Sequence, residues 1–226
     1  MSTALPEASL VETARSETLE VSFDGSRCIH ARYCVTRAPA TFLANVDGPW
    51  IHPGATPVDS LVAVIHQCPS GALHYRRFDG GPQEPPPPVN LLTLRENGPY
   101  EVRAPMQSGE TALGFRAALC RCGASKNKPF CDNSHRHNGF HATSEPASGT
   151  TTALLQRDGP VDVQPQANGP LRLVGALEIV SGTGRVIERT REVELCRCGA
   201  SQHKPFCDDS HLRIGFRAPG VAPLPE

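Results

Sequence analysis

A chain of 226 residues has room for one large domain or two to three small ones, and only 5% of its residues are aromatic, which excludes a large aromatic-rich core. A formal net charge of −1 and a pI near 6.7 give no electrostatic footprint for nucleic acid. No stretch approaches the roughly 20 apolar residues of a membrane span, so no membrane partner is expected.

The first elements predict a small α+β unit. Leu19–Phe23 alternates apolar and polar residues as a strand does, and it ends at the turn pair Asp24-Gly25. Thr56 looks like an N-cap followed by proline at the first helical position, which predicts a helix to about Gln67. Another strand is expected at Ala72–Tyr75. The residues before position 17 lack a basic segment and an unbroken apolar run, so we expect a loose tail, no secretory signal and a cytoplasmic location.

A proline run at Pro82 and Pro85–Pro88 indicates a stiff linker. It predicts a domain over residues 17–80, a linker over 81–94 and a separate C-terminal region. The last nine residues, from 218, are rich in proline and predict a disordered tail.

The C-terminal region is an internal duplication. N-G-P-Y-E-V-R at Asn97 recurs as N-G-P-L-R-L-V at Asn168, and between Cys120 and Phe140 fifteen of twenty-one positions match their counterparts 76 residues later. We therefore expect repeats over residues 95–142 and 165–218, each with strands followed by a cysteine-rich loop. The predicted strands include Tyr100–Arg103, Leu171–Val174 and Ala176–Val180.

Each repeat carries three cysteines and one histidine within sixteen residues. C-R-C-G-A-S-K-N-K-P-F-C-D-N-S-H supplies the first tetrad and C-R-C-G-A-S-Q-H-K-P-F-C-D-D-S-H the second. Nine cysteines are an odd number for a disulfide framework, whereas C-x-C places two thiols well to grip one metal. The spacing alone fits either a closed zinc site or a 2Fe–2S cluster with one iron on each half of the tetrad. The candidate ligands are Cys120, Cys122, Cys131 and His135, and Cys196, Cys198, Cys207 and His211.

The pattern C-x-C-x2-S-x3-P-x-C-D-x-S-H resembles the CDGSH (NEET-type) iron–sulfur domain in both copies. The resemblance covers residues 95–217 and implies a 2Fe–2S cluster on each tetrad rather than zinc. The glycine of the family motif is replaced by Asn133 and Asp209, the residue types that best tolerate a left-handed backbone, so we expect the turn to survive. The resemblance to single-motif members of the family, which form homodimers, implies that the tandem copies form an internal pseudo-dimer in one monomeric chain.

The histidine ligand has its own consequences. An imidazole in place of a thiolate makes the site less anionic and tends to raise the reduction potential. Because His135 and His211 can protonate, we expect redox chemistry coupled to protons and a cluster that is labile at low pH. Asp132 and Asp208, which follow the third cysteines, are expected to orient the following turn.

Three further cysteines lie outside the repeats. C-I-H-A-R-Y-C is a C-x2-C-x2-C frame whose middle position is filled by Ala31, and Cys68 is followed by proline, as in bacterial ferredoxins. The segment around them resembles a divergent single-cluster ferredoxin domain. Cys28, Cys34 and Cys68 would hold a 3Fe–4S cluster, whereas a 4Fe–4S cluster needs a fourth ligand such as His30 or solvent. The alternative is a degenerate domain that has lost its cluster.

The fold class expected is thus α+β, a small ferredoxin-like domain followed by two β-rich CDGSH repeats. No catalytic triad, phosphate-binding loop or paired carboxylate frame is evident, so an enzyme is not expected. Electron transfer to a redox partner protein is the leading functional hypothesis. Cluster storage, transfer to an acceptor or redox sensing is the second, and a zinc-stapled interaction module is the third.

Overall fold

The computed structural model describes residues 11–220, which divide into two compact units. Residues 11–68 and 72–84 form the first unit, and residues 69–71 and 85–220 form the second. Within this described part of the chain, no helix has the length and apolar character needed to cross a membrane. Each unit has its own apolar core.

The first unit is a three-stranded antiparallel sheet with two helices. Its strands lie in the order β1-β2-β3, and the helices are α1 and α2, so the unit is α+β as expected. Strand β1 contradicts the expectation of a loose tail for its residues, because it pairs with β2 along its whole length. Residues 1–10 of that expected tail lie outside the described part. The elements are β1 (Val11–Arg15), β2 (Leu19–Asp24), α1 (Tyr33–Arg37), α2 (Val58–Ile65) and β3 (Leu73–Arg77).

The start of α2 differs from the prediction. Pro57, not Thr56, is the N-cap, and no side chain caps the helix. The Thr56 hydroxyl is engaged elsewhere, because it accepts a hydrogen bond of 2.8 Å from the hydroxyl of Thr41. The buried face of α2 is as predicted, since Leu61 and Ile65 are fully buried against the sheet.

The second unit is a six-stranded sheet made from both repeats. In the first repeat β4 and β6 flank β5, and in the second repeat β7 and β9 flank β8, all in antiparallel pairs. The repeats also exchange contacts, because β4 pairs with β8 and β7 pairs with β5, both in parallel. The strands are β4 (Leu91–Leu94), β5 (Tyr100–Ser108), β6 (Thr111–Leu119), β7 (Val161–Pro165), β8 (Leu171–Val180) and β9 (Val186–Leu195).

One core serves both repeats. Alternate residues of β5 are buried, and they pack in a single cluster with apolar residues of β8. The two stretches predicted at Leu171–Val174 and Ala176–Val180 form one strand, interrupted by a bulge between Val174 and Leu177. Gly175 allows this bulge, since its φ is +144° and a Cβ there would lie 2.4 Å from the carbonyl oxygen of Pro160.

The structure departs from the expected linker and tail. Strand β4 lies inside the segment 81–94 and is part of the sheet. Just before it, the buried Asn90 amide donates to the carbonyls of Gly159 and Ala176 at 2.9 and 2.8 Å. At the other end, the backbone N–H of Ala218 donates to the side chain of Asn168, so the expected tail begins as ordered structure. Residues 221–226 of that tail lie outside the described part.

Candidate metal centres

Each tetrad is carried by a loop that folds back on the strand before it. Cys120 follows β6, its N–H donates to the carbonyl of Pro129, and Cys131 N–H donates to the carbonyl of Ala118, both at 2.8 Å. The second loop, after β9, repeats these bonds from Cys196 to Pro205 and from Cys207 to Glu194, both at 2.9 Å. The two arms of each loop are therefore held side by side, with ligands on both.

The ligand atoms of each tetrad lie in two close pairs. The C-x-C thiols are 3.9 Å apart in the first repeat and 3.7 Å apart in the second. In both repeats the sulfur of the third cysteine lies 3.4 Å from Nδ1 of the histidine. No three of the four ligand atoms in either tetrad come within 4.8 Å of one another in this described region.

A short helical turn brings each histidine to its cysteine, as the i to i+4 spacing predicted. The turns are a 3-10 helix over Ser134–Arg136 and the short helix α3 (Ser210–Arg213). Asn133 and Asp209 start these turns with φ of +69° and +60°, which confirms that they adopt the left-handed backbone of the missing glycine. Such a backbone is tolerated best by glycine, asparagine and aspartate.

The aspartate after the third cysteine joins the two arms of each loop. The Asp132 carboxylate accepts the backbone N–H of Lys126 at 2.8 Å and that of Ser134 at 3.0 Å. Asp208 makes the equivalent bonds with Gln202 and Ser210. The predicted orienting role of these aspartates thus has a definite geometry.

The two thiols of each C-x-C pair lie within hydrogen-bonding distance of each other. A hydrogen bond from Cys120 lowers the pKa of Cys122 to about 6, and a bond from Cys198 lowers that of Cys196 to about 6. Burial raises the pKa of Cys131 to about 11 and lowers the pKa of His135. A metal or cluster that binds here displaces protons from the thiols, so its binding is coupled to proton release.

Two buried arginines follow the first cysteine of each tetrad. Arg121 and Arg197 stand between the first two cysteines of each loop, and each is about 1% exposed. Arg121 Nε and Arg197 Nη1 are buried and find no acceptor among the described residues. Burial lowers the pKa of Arg197, whereas the Cys120 thiolate of the other repeat acts to raise it. Buried cations with unused donors fit an anionic group such as a thiolate-bound iron–sulfur cluster.

Two glycines let the loops of the two repeats touch. A Cβ on Gly123 would lie 2.5 Å from the carbonyl oxygen of Cys198, and a Cβ on Gly199 would lie 2.6 Å from that of Cys122. Both glycines have φ of +82°. The second cysteine of each tetrad therefore packs, through its backbone, on the glycine after the second cysteine of the other.

Tyr100 also crosses between the repeats. It is fully buried, and its hydroxyl donates to the carbonyls of Cys196 at 2.8 Å and Pro205 at 3.0 Å. Burial raises the pKa of the phenol well above its usual value, so the hydroxyl stays a donor. Sequence reasoning did not single out Tyr100, the glycines or the arginines, although Arg is the middle residue of C-x-C in both copies.

The three N-terminal cysteines come from separate elements. Cys28 follows the 3-10 turn Gly25–Arg27, Cys34 lies in α1, and Cys68 lies just beyond α2. All three are half-buried, and none of them forms a disulfide. Burial raises the pKa of Cys28 and Cys34, and the charge of Cys68 raises both further. The three thiols are therefore near enough to influence one another electrostatically.

His30 lies beside this site, next to the unfilled frame position. Its backbone N–H donates to the Cys28 sulfur at 3.4 Å, and its Nδ1 lies 4.0 Å from the same atom. The backbone is left-handed at His30 and Arg32, with φ of +53° and +66°, on either side of Ala31. The loop therefore turns around the position where a ferredoxin has its middle cysteine.

Comparison with known proteins agrees with these sites. The model of the iron-binding zinc finger of CDGSH type matches residues 97–136 and 168–212, and that of the divergent 4Fe–4S mono-cluster matches residues 14–78. The uncharacterized protein YjdI of Escherichia coli K12, and that of strain O157:H7, are each 40% identical to this chain over 60 residues. Those residues are 26% of this chain and 78% of YjdI. No solved structure matches the chain.

The chain thus contains two CDGSH-type iron-binding segments behind a divergent 4Fe–4S mono-cluster domain. It is an iron–sulfur cluster-binding protein. The predicted recognition of both regions is confirmed.

Proposed function

We propose that this chain is an electron-transfer protein and not an enzyme. The two tetrads hold 2Fe–2S clusters, and Cys28, Cys34 and Cys68 hold a 3Fe–4S or 4Fe–4S cluster. Its partner is a redox protein, and its place of action is the cytoplasm. A bound iron–sulfur cluster supplies one-electron exchange, and the residues around it set its potential and stability.

The arrangement of each tetrad in two separate pairs carries the proposal. Two thiolates on one tetrahedral metal, with bonds of about 2.3 Å, lie about 3.8 Å apart, and a thiolate and an imidazole lie about 3.5 Å apart. The observed 3.9 and 3.4 Å in the first tetrad match these values. A single zinc ion would bring all four ligand atoms within about 3.8 Å of one another. The two observed pairs of ligand atoms instead remain separated. This supports one metal per pair, as in a 2Fe–2S cluster.

Backbone and charge around the tetrads support a redox role. The N–H of Asn133 donates to the Cys131 sulfur and that of Ala200 to the Cys198 sulfur, both at 3.4 Å. Such bonds offset negative charge on the sulfurs, and the buried Arg197 interacts electrostatically with Cys120. Hydrogen bonds to the sulfurs and net charge are two of the main determinants of cluster potential.

The exchange between repeats supports a monomer that acts as an internal pseudo-dimer. β4 and β7 each pair with the central strand of the other repeat, and Gly123 and Gly199 pack against each other's cluster loops. A single-repeat protein would need a second copy to make these contacts. One chain supplies both halves here.

The N-terminal site supports a three-cysteine cluster. The charges of Cys28 and Cys68 both act to raise the pKa of Cys34, and the frame position that would give a fourth thiol is Ala31, an exposed residue. His30 donates its N–H to Cys28, and its ring lies beside the same thiol rather than on a separate side of the site. The 3Fe–4S form needs three protein ligands, one from each cysteine.

Analysis of the purified protein tests the proposal. We expect a brown protein with about seven iron atoms per chain, reversible reduction by dithionite, and an EPR signal near g = 2 from an oxidised 3Fe–4S centre. Ala31→Cys should complete the frame and remove the g = 2 signal, while His30→Ala should leave it in place. A colourless protein with zinc and no labile sulfide would contradict the whole proposal.

Cluster transfer is the second candidate function, and the accessibility of one ligand favours it. His135 is half-buried, so an acceptor can reach a ligand that is more easily displaced than a thiolate. Movement of cluster absorbance to an apo-ferredoxin, at a rate set by acceptor concentration, would rank transfer above electron exchange. Reversible redox cycling without loss of cluster would rank electron exchange first.

A further inference from the structure

The bonds within the two tetrad loops are duplicated almost throughout. The bonds from the first cysteine to the loop proline and from the third cysteine back to the preceding strand occur in both. The Ser125 hydroxyl donates to the carbonyl of Phe130, and Ser201 does the same with Phe206, both at 2.7 Å. The aspartate bonds are also repeated. The two loops therefore share most of their internal bonds, and the support that they receive from outside can be compared directly.

Tyr100 supplies such a difference. Its hydroxyl lies on the carbonyls of Cys196 and Pro205, at 2.8 and 3.0 Å. Cys196 begins the arm that carries the C-x-C pair, and Pro205 stands two residues before Cys207 in the other arm. One hydroxyl thus ties together the two arms of the second tetrad.

The first tetrad lacks this tie. The residue that corresponds to Tyr100 is Leu171, because both follow Asn-Gly-Pro and pair with the leucine before the first cysteine, Leu119 or Leu195. A leucine has no donor, so it leaves the carbonyls of Cys120 and Pro129 without this bond. The two loops have nearly the same sequence but different support.

Exposure of the ligands does not rank the sites. His135 is more exposed than His211, which is 8% exposed, but Cys207 is more exposed than Cys131, which is 3% exposed. The Tyr100 hydroxyl donates only to the second site, and there it bonds to both arms of the loop. It is therefore a feature that distinguishes the second site from the first.

We propose that Tyr100 is a positioning residue that makes the second CDGSH site retain its cluster longer, so that the first site is the one that exchanges its cluster. The inference rests on the proposed function, since both tetrads must hold clusters. Loss of a cluster requires the two arms to separate, and at the second site this breaks the bonds to Tyr100. A buried hydrogen bond changes such an equilibrium by about two- to tenfold.

The test follows the cysteines as they are freed. The intact, cluster-loaded chain is incubated with an iron chelator and iodoacetamide, and alkylation of Cys131 and Cys207 is followed over time by peptide mass spectrometry. We expect Cys131 to be alkylated about two- to tenfold faster than Cys207. Tyr100→Phe keeps the ring and removes the hydroxyl. It should therefore accelerate the alkylation of Cys207 and leave the alkylation rate of Cys131 unchanged.

Val102→Ala is the matched control, since Val102 is fully buried in the same strand and carries no hydrogen-bonding side chain. This variant should accelerate the alkylation of both Cys131 and Cys207. The inference is overturned if Tyr100→Phe behaves like Val102→Ala, or if Cys207 is freed as fast as Cys131 in the unchanged protein. Failure of the proposed function would give a different result. All six cysteines of the two tetrads would then be alkylated at once, without chelator, and the protein would show no initial cluster absorbance.

Discussion

The tetrads and the N-terminal cysteine site reach a similar ligand type by different routes. Each tetrad lies within sixteen residues, on one loop whose own backbone bonds bring the ligands into close pairs. The N-terminal cysteines span forty-one residues, from 28 to 68, and Cys34 and Cys68 pack against the core of the first unit. The tetrads are therefore built by local loop geometry and contact between repeats, and the N-terminal site by a hydrophobic core.

The largest effect is expected from weakening that core. Leu61 of α2 is fully buried in the core of the first unit, against which Cys34 and Cys68 also pack. Leu61→Ala should lower the free energy of unfolding of the first unit by about 3–5 kcal/mol, because it removes buried area and leaves a cavity. We expect loss of the g = 2 EPR signal and retention of the 2Fe–2S absorbance. Ala63→Gly, on the exposed face of the same helix, should cost only about 1 kcal/mol and keep the signal.

If Leu61→Ala removed all cluster types together, the two sites would not be built independently. If it left the g = 2 signal intact at full occupancy, the packing of α2 would not be what gathers the cysteines. Iron and sulfide analysis alongside the EPR measurement separates these outcomes.

The converse test acts on the contact between repeats. Gly123→Ala would place a Cβ 2.5 Å from the carbonyl oxygen of Cys198, at a φ of +82°. We expect a loss of about 2–4 kcal/mol in the second unit, because neither a backbone carbonyl nor a left-handed alanine relaxes easily. Both tetrads should lose occupancy, while the N-terminal signal remains.

Gly184→Ala is the control for backbone strain alone. Gly184 has a φ of +90°, but nothing lies within 4 Å of the Cβ position. It should cost about 1–2 kcal/mol and leave both tetrads filled. Equal effects of Gly123→Ala and Gly184→Ala on 2Fe–2S absorbance would refute the role of the glycine contact.

The same contrast explains what the sequence predicts and what it does not. The candidate ligands of the tetrads, the turn at Asn133 and the β5–β6 and β8–β9 hairpins are local, so spacing and residue type are sufficient to predict them. Tyr100 and Gly123 act across the repeats, and their partners are 96 and about 75 residues away, which no local pattern indicates. The prediction that Thr56 caps α2 is wrong for a similar reason, because its hydroxyl accepts a hydrogen bond from a tertiary partner, Thr41.

The smallest effect is expected from an ion pair in the sheet of the second unit. The buried Glu178 carboxylate accepts a hydrogen bond of 2.6 Å from Arg157 and lies 3.4 Å from Arg189, and the pKa of Glu178 is lowered chiefly by Arg157. Its strand position pairs with Arg189, seven residues before Cys196. Since the tetrads depend on their loops, Glu178→Gln should weaken the sheet slightly without emptying either tetrad.

A lowered pKa means that the ion pair stabilises the fold fully above the pKa of the unfolded chain and loses that contribution as pH falls through the folded value. Glu178→Gln should therefore lower stability at pH 7 by at most about 1 kcal/mol, because Arg157 is half exposed, and the difference should vanish at acid pH. Urea unfolding at several pH values measures it, with the exposed Glu192→Gln as control. A loss of 2Fe–2S absorbance in Glu178→Gln at neutral pH would show that the sheet, and not the loop alone, determines the tetrads.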